Sequence, residues 1–158
     1  AVILTRAPVL VPLQRFQAAL VVRFVEKQKH IYRALLGPVV AVLGLGVVGF
    51  ALAWLLGPWI LQLAFPPELF VPGRTLALLT FASAFMGTLM ITGVAVLAPQ
   101  RHGWYVAGWL TASVVAFAVL FTAPWGVVTA VVIALFAGPL AGAIVHVIGL
   151  WGARSLVA

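Results

Sequence analysis

The chain has 158 residues, of which 65% are hydrophobic and only 7% charged, and its mean hydropathy is +1.26. Because charged residues make up about 25% of a typical soluble domain, this composition excludes a soluble globular protein. The formal net charge is +7, but most cations stand at the ends of apolar runs, which indicates membrane topology and not a nucleic-acid-binding stripe. Cysteine is absent, so disulfides and thiolate-bound metals are also excluded.

Long apolar runs recur along the chain, and each has about the 20 residues that a helix needs to cross roughly 30 Å of hydrocarbon. A transmembrane barrel would instead show short alternating segments. The sequence therefore predicts an all-α fold, a polytopic transmembrane helix bundle that forms a single domain over residues 1–158. Five spans are predicted, at residues 1–22, 35–56, 75–98, 104–122 and 127–151.

The first predicted span carries two arginines inside its apolar run. A centred arginine costs about 2.5–3.5 kcal/mol on insertion scales, so such residues usually face a bundle interior or a water-filled cavity. If the span is helical and Arg23 marks the inner interface, Arg15 lies about 12 Å deep and Arg6 about 25 Å deep. Arg6 can reach the outer headgroups by extending its side chain. Arg15 instead needs carbonyl groups of another helix, an ion pair or an anionic ligand.

An anionic ligand is a serious candidate for Arg15, because both glutamates of the chain fall outside the predicted spans. A guanidinium suits phosphate, since it offers two parallel donors and keeps its charge when buried. The neighbouring Gln14 and Gln17 could add hydrogen bonds to a sugar or a phosphate. The predicted substrate-binding residues are therefore Arg6, Gln14, Arg15 and Gln17.

Proline and glycine mark the ends of the later spans. Gly57-Pro58 is expected to kink or end the second span, because proline removes a backbone donor and clashes with the preceding turn. Pro99 is expected to stop the third span and Pro124 the fourth. The second span also carries small residues that predict a slim, helix-contacting face: Gly44, Gly46 and Gly49.

The fifth span carries a stripe of small residues, and its one ionisable side chain lies on that stripe. Gly138, Gly142, His146 and Gly149 are spaced by four, four and three residues, so they share one helix face. Such stripes allow close helix approach in lipid. Two interpretations of His146 stay open: a hydrogen bond across the helix contact, and a proton relay.

The loops alternate in charge and predict the orientation of the chain. Six cations gather on one side and one, Arg74, on the other, which by the positive-inside rule places the six in the cytoplasm. The N-terminal residue is then outside and the C-terminus cytoplasmic, in the inner (plasma) membrane. The six cations are Arg23, Lys27, Lys29, Arg33, Arg101 and Arg154.

No nucleophile–base pair, phosphate-binding glycine loop or metal-ligand spacing occurs in the sequence. We therefore expect neither enzymatic activity nor a metal or other cofactor. The chain also starts at Ala1, directly inside an apolar run, so we expect further chain upstream.

Three strings carry a resemblance to a known family. They are LTRAPVLVPLQRFQAALVVRF in the first span, LLGPWILQLAFPPELF after the second, and VAVLAPQRHGWY at the end of the third. With the basic inner loop, their order resembles bacterial polysaccharide and oligosaccharide flippases of the multidrug/oligosaccharidyl-lipid/polysaccharide exporter superfamily. Where that family usually has an FGPEF-like string, this chain has FPPELF. The chain is similar to the second of the family's two six-helix lobes, without its first helix.

The resemblance implies a transporter lobe that exports a lipid-linked saccharide for cell-envelope polysaccharide by alternating access. Its partners would be the lipid bilayer, the lipid-linked saccharide, and helices of an N-terminal lobe or another subunit. Arg6 and Arg15 would correspond to cavity arginines that neutralise the lipid-linked pyrophosphate. The alternative is an integral membrane subunit that scaffolds a larger complex and transports nothing.

Overall fold

The computed structural model describes residues 18–27, 30–64, 66–67 and 71–154. Within these ranges the regular structure consists of five α-helices and contains no strand. Four of them are long and apolar enough to cross a membrane, so the protein is an integral membrane protein. This confirms the predicted all-α class. The helices are α1 (residues 18–26), α2 (Ile31–Ala64), α3 (Gly73–Leu97), α4 (His102–Thr122) and α5 (Val127–Arg154).

The first predicted span, residues 1–22, lies mostly outside the described residues. Its last residues belong to α1, which continues to residue 26, beyond the predicted end of the span. The basic stretch at residues 23–33 is mostly helical, because α1 and the first turn of α2 take up most of it. Arg33 lies in that first turn, which is compatible with its good intrinsic helix propensity.

Helix α2 is longer than its predicted span of residues 35–56, and Pro58 does not end it. Inside a bilayer a broken helix would expose backbone groups that no water can satisfy, which favours continuing the helix through a proline. Pro58 frees the carbonyl of Trp54, four residues earlier. Gly73 at the start of α3 packs there so closely that an added Cβ would lie 2.9 Å from that oxygen.

Helix α3 lies at the centre of the packing. It contacts α2 along much of its length, contacts α5 extensively and contacts α4 less, while α4 and α5 form a second closely packed pair. The α2–α3 pair is antiparallel, since Gly46 lies against Ala84 and Gly57 against Leu76. Gly44, predicted on the same slim face, has nothing within 4 Å of an added Cβ and faces away from this contact.

A core cluster fixes α1 to one end of the bundle. Phe24 is fully buried and Leu20 nearly so, and both pack with the start of α2, the end of α3 and Leu150 of α5. Burying a large apolar side chain contributes about 1.5–3 kcal/mol in water. Inside a membrane the gain comes from close packing instead. The segment that follows the predicted substrate-binding residues is therefore held firmly against the bundle.

The turn between α3 and α4 explains why α3 ends where the sequence predicts. Pro99 has no backbone N–H, and Gln100 takes a left-handed conformation with φ of 58°. The Gln100 N–H then donates to the Leu97 carbonyl at 2.8 Å and the Arg101 N–H to the Val96 carbonyl at 3.3 Å. These two bonds satisfy carbonyls that the helix end would otherwise leave open.

The outer surface of the bundle is apolar, as a lipid-facing surface requires. Leu45, Leu55 and Leu63 of α2 are all at least 72% exposed. Four exposed tryptophans lie close to helix ends, a distribution typical of anchoring at the membrane interface. They are Trp59, Trp104, Trp125 and Trp151.

Candidate functional site

The predicted substrate-binding residues Arg6, Gln14, Arg15 and Gln17 all lie outside the described residues. The positions of these four residues relative to one another are not part of the described structure. What it does describe is the helix that follows them, α1, whose Phe24 is buried in the bundle core. The remaining predicted residue, His146, lies within the described part of α5.

His146 is fully buried at the junction of three helices. Its Nδ1 lies 3.1 Å from the hydroxyl oxygen of Thr92 on α3. Its Nε2 lies 3.1 Å from the backbone carbonyl oxygen of Tyr105 on α4. The imidazole also stacks on the Tyr105 ring, with centroids 6.0 Å apart and an interplanar angle of 9°. One side chain thus joins α5 to both of its neighbours.

Two glycines make the space for this imidazole. A Cβ added to Gly108 of α4 would overlap the ring, and one added to Gly93 of α3 would lie 3.2 Å from its Cε1. Helix α4 could not approach His146 in this way with a larger residue at position 108, and at position 93 the contacts would be tight. The pocket for the imidazole is therefore built by the backbones of α3 and α4 as much as by its hydrogen bonds.

The small-residue stripe of α5 packs against α4. A Cβ added to Gly138 would lie 2.7 Å from the Ala112 carbonyl oxygen. One added to Gly149 would lie 2.7 Å from the indole of Trp104. Close backbone approach of this kind is the usual role of such stripes in membrane helices.

Arg101 connects the turn before α4 to α5, near the C-terminal end of the small-residue stripe. Its Nη1 donates to the Gly149 carbonyl at 2.8 Å. Gly149 follows His146 by three residues, so this bond lies about one helical turn further along α5. The interhelical polar contacts of α5 therefore form a short series at the end of the bundle that the charge pattern predicts to be cytoplasmic.

A shallow groove of about 200 Å³ opens between α3, α4 and α5. Its lining is almost entirely apolar, with Ser113 as the polar exception, and the Ser113 hydroxyl donates to the Trp109 carbonyl at 3.0 Å. Trp109 lines the groove through a partly buried side chain whose Nε1 has no hydrogen-bond partner. No cationic side chain lines the groove, so it does not resemble a phosphate site.

Sequence reasoning missed the partners of His146. The sequence could not identify Thr92 and the Tyr105 carbonyl as partners. The sequence of a single helix does not determine how α3, α4 and α5 are positioned along one another. One signal was available: Thr88 and Thr92 place two hydroxyls one turn apart in α3, although Thr80 and Ser83 of the same helix also carry hydroxyls. Each can bond back to a preceding carbonyl, as Thr92 does to Leu89 at 3.0 Å, so the signal alone does not predict an interhelical contact.

Among the described residues no group of three or more potential metal ligands occurs. The described part of the chain therefore offers no clustered His, Asp or Glu side chains at which a metal centre could be proposed.

The chain is similar to mycobacterial proteins. It is 42% identical over 150 residues to the uncharacterized protein Rv1510 of Mycobacterium tuberculosis, a match that covers 95% of this chain and 34% of that protein. It is 40% identical over 150 residues to the uncharacterized proteins Rv3630 of Mycobacterium tuberculosis and Mb3654 of Mycobacterium bovis, covering 35% of each. The chain thus spans about a third of the length of the curated relatives it matches. No family profile and no solved structure matches it.

Proposed function

We propose that this chain is part of a lobe of a membrane transporter that flips a lipid-linked saccharide across the bilayer by alternating access. The observation that carries the proposal is Arg15, a cation in a predicted span of a chain whose two acids both lie outside the predicted spans. Such a residue is expensive to insert and usually marks a substrate or ion pathway. A pyrophosphate between a saccharide and a lipid is an anion that Arg15 would neutralise.

The described structure supports the proposal through α1. Residues 18–26 of α1, which come shortly after Arg15 in the sequence, are anchored by Phe24, which is fully buried in the bundle core. A binding residue on a freely moving segment could not transmit substrate binding to the rest of the protein. A binding residue next to an anchored helix can, because any displacement of α1 must also move the ends of α2, α3 and α5 that pack around Phe24.

The length of the relatives is compatible with a lobe that works with further helices. In Rv1510 the matching region is 34% of the chain, so most of that protein lies outside the match. Alternating access requires a second body against which the first can rock.

Flipping can be tested in vesicles that contain a polyprenyl-pyrophosphate-linked saccharide with a fluorescent label on the sugar. Without protein, the label on the inner leaflet stays protected from a membrane-impermeant quencher. We expect the full-length protein to expose that label, and to leave a labelled phospholipid of the same vesicles protected. If both lipids stay protected with and without protein, the transporter proposal fails and the scaffold alternative is favoured.

The proposed orientation places the turn before α4 in the cytoplasm and the loop before α5 outside. Gly103 and Gly126 are suitable positions for a cysteine on each side, since an added Cβ meets nothing within 4 Å at either position. The chain has no native cysteine, so a single introduced one is the only target in it. We expect an impermeant thiol reagent to label Gly126→Cys in intact cells and Gly103→Cys only after permeabilisation. The reverse labelling pattern would show that the orientation is the opposite of the proposed one.

A further inference from the structure

The hydrogen bonds of His146 determine where its protons can be. The Tyr105 carbonyl oxygen, 3.1 Å from Nε2, can only accept a hydrogen bond. Nε2 must therefore carry a hydrogen and donate it, whatever the charge of the ring. In the neutral imidazole this leaves Nδ1 as an acceptor, and the Thr92 hydroxyl at 3.1 Å is the group that donates to it.

The Thr92 hydroxyl can also accept a hydrogen bond from a protonated imidazole ring. Its oxygen lies 3.0 Å from the Leu89 carbonyl oxygen and 3.0 Å from the Thr88 carbonyl oxygen. Both carbonyls can only accept. If Nδ1 gains a proton, it donates to the Thr92 oxygen, and the hydroxyl hydrogen turns away to one of these carbonyls. The charged state then has one hydrogen bond more than the neutral state, and no heavy atom needs to move.

We propose that His146 is a reversible proton-binding site inside the transmembrane bundle, with Thr92 as the group that adapts to each protonation state. An isolated buried charge is very costly. Here the imidazolium would make two charge-assisted hydrogen bonds, which are roughly twice as strong as neutral ones. The parallel Tyr105 ring, 6.0 Å away, would add a cation–π attraction.

The charged groups on the neighbouring elements favour release of the proton. Helices α3 and α4 pack against His146, and their titratable side chains are Arg74 on α3 with His102 and Tyr105 on α4; Arg101 lies just before α4. None of these is an acid, and α5 contains no acid either. With no carboxylate on these helices to retain a proton, the site is not locked in its charged state.

Proton binding at His146 does not depend on the transporter proposal, but it would matter to it. The 158 residues contain no phosphate-binding glycine loop for ATP, so within this part of a transporter a proton is a candidate coupling ion. If the lobe flips a lipid-linked saccharide as proposed, a proton held between α3, α4 and α5 could be its coupling ion. That last step rests on the proposed function, whereas proton binding can be measured without any transport.

The test is nitrogen NMR of the imidazole in the protein reconstituted into lipid bilayers. In this chain His30 and His102 are exposed and can be changed to glutamine, which leaves His146 as its one labelled histidine. We expect the neutral ring to carry its hydrogen on Nε2 at alkaline pH, and Nδ1 to gain a proton as the pH is lowered. The bundle should remain helical throughout.

Two variants separate the proposed role of Thr92 from a merely structural one. Thr92→Ser keeps the hydroxyl and should take up the proton as the unchanged protein does. Thr92→Val has nearly the same shape but offers no acceptor to Nδ1–H, so it should stay neutral over the same range. A ring that never becomes protonated in the unchanged protein would overturn the proposal. Equal proton uptake by the Val and Ser variants would overturn the role of Thr92.

Discussion

Replacing Gly142 by leucine should destabilise the bundle by about 3 kcal/mol, the upper end of the usual cost of overpacking. A Cβ at this position would lie 2.5 Å from the Gly108 carbonyl oxygen and 2.8 Å from Leu89 Cδ1. The first of these atoms is backbone and cannot turn aside. Helix α5 would have to move away from α4 and α3 together, which would also pull His146 from both of its hydrogen-bond partners.

The effect can be measured as the melting temperature in detergent, where a loss of this size corresponds to a fall of about 6–12 °C in a chain of this length. Gly44→Leu is a matched control, because an added Cβ there meets nothing within 4 Å, and it should melt near the unchanged protein. His146→Gln should cost less, about 1 kcal/mol, since glutamine can still donate and accept a hydrogen bond. Equal melting of Gly142→Leu and His146→Gln would contradict the proposed importance of close helix approach.

Replacing Arg15 by leucine should abolish most saccharide export while leaving the amount of protein in the membrane normal. Leucine lowers the cost of insertion, so a role in packing alone would tolerate the change. A role in binding pyrophosphate would not. Losing charge-assisted hydrogen bonds worth about 1.5–3 kcal/mol corresponds to a rate roughly 10–100-fold lower when substrate is limiting.

Further substitutions define what Arg15 supplies. Arg15→Lys should retain more export than Arg15→Ala, because lysine keeps the charge but loses the two-pronged geometry of the guanidinium. Arg6→Ala should show the same defect more weakly, since the sequence places Arg6 nearer to the outer headgroups. Arg74→Leu is a control for the loss of a cation, because Arg74 is exposed at the start of α3. Normal export by Arg15→Leu would make the arginine structural.

The fold could be predicted further than the site. Apolar length predicted α2, α3, α4 and α5, whereas most of the first predicted span lies outside the described residues. Pro99 and Pro124 follow the ends of α3 and α4, as predicted. Pro58 has the same local chemistry, yet α2 continues through it, and Gly73 packs close to the carbonyl that the proline frees. Whether a proline ends a membrane helix thus depends on its depth and on what covers it, and neither is a local property of the sequence.

The surroundings of His146 were beyond prediction for a related reason. The stripe of Gly138, Gly142 and Gly149 showed which face of α5 is in contact with another helix. It could not show which residues of α3 and α4 lie opposite, because a shift of one turn would place His146 against other residues. The contact with Thr92 requires the relative depth of α3 and α5, which the loops between them do not determine.

Helix α2 links the bundle to the thickness of its membrane. Its 34 residues correspond to about 51 Å of helix, whereas the hydrocarbon core measures about 30 Å. Even a tilt of about 40°, the upper end of the usual range, leaves about 39 Å along the bilayer normal. A thinner membrane therefore increases the mismatch and favours a larger tilt of α2 away from the bilayer normal. Gly46 and Gly49 of α2 lie against α3, so a change in the tilt of α2 also acts on the central helix. The length of the lipid chains is therefore expected to influence the packing of the bundle.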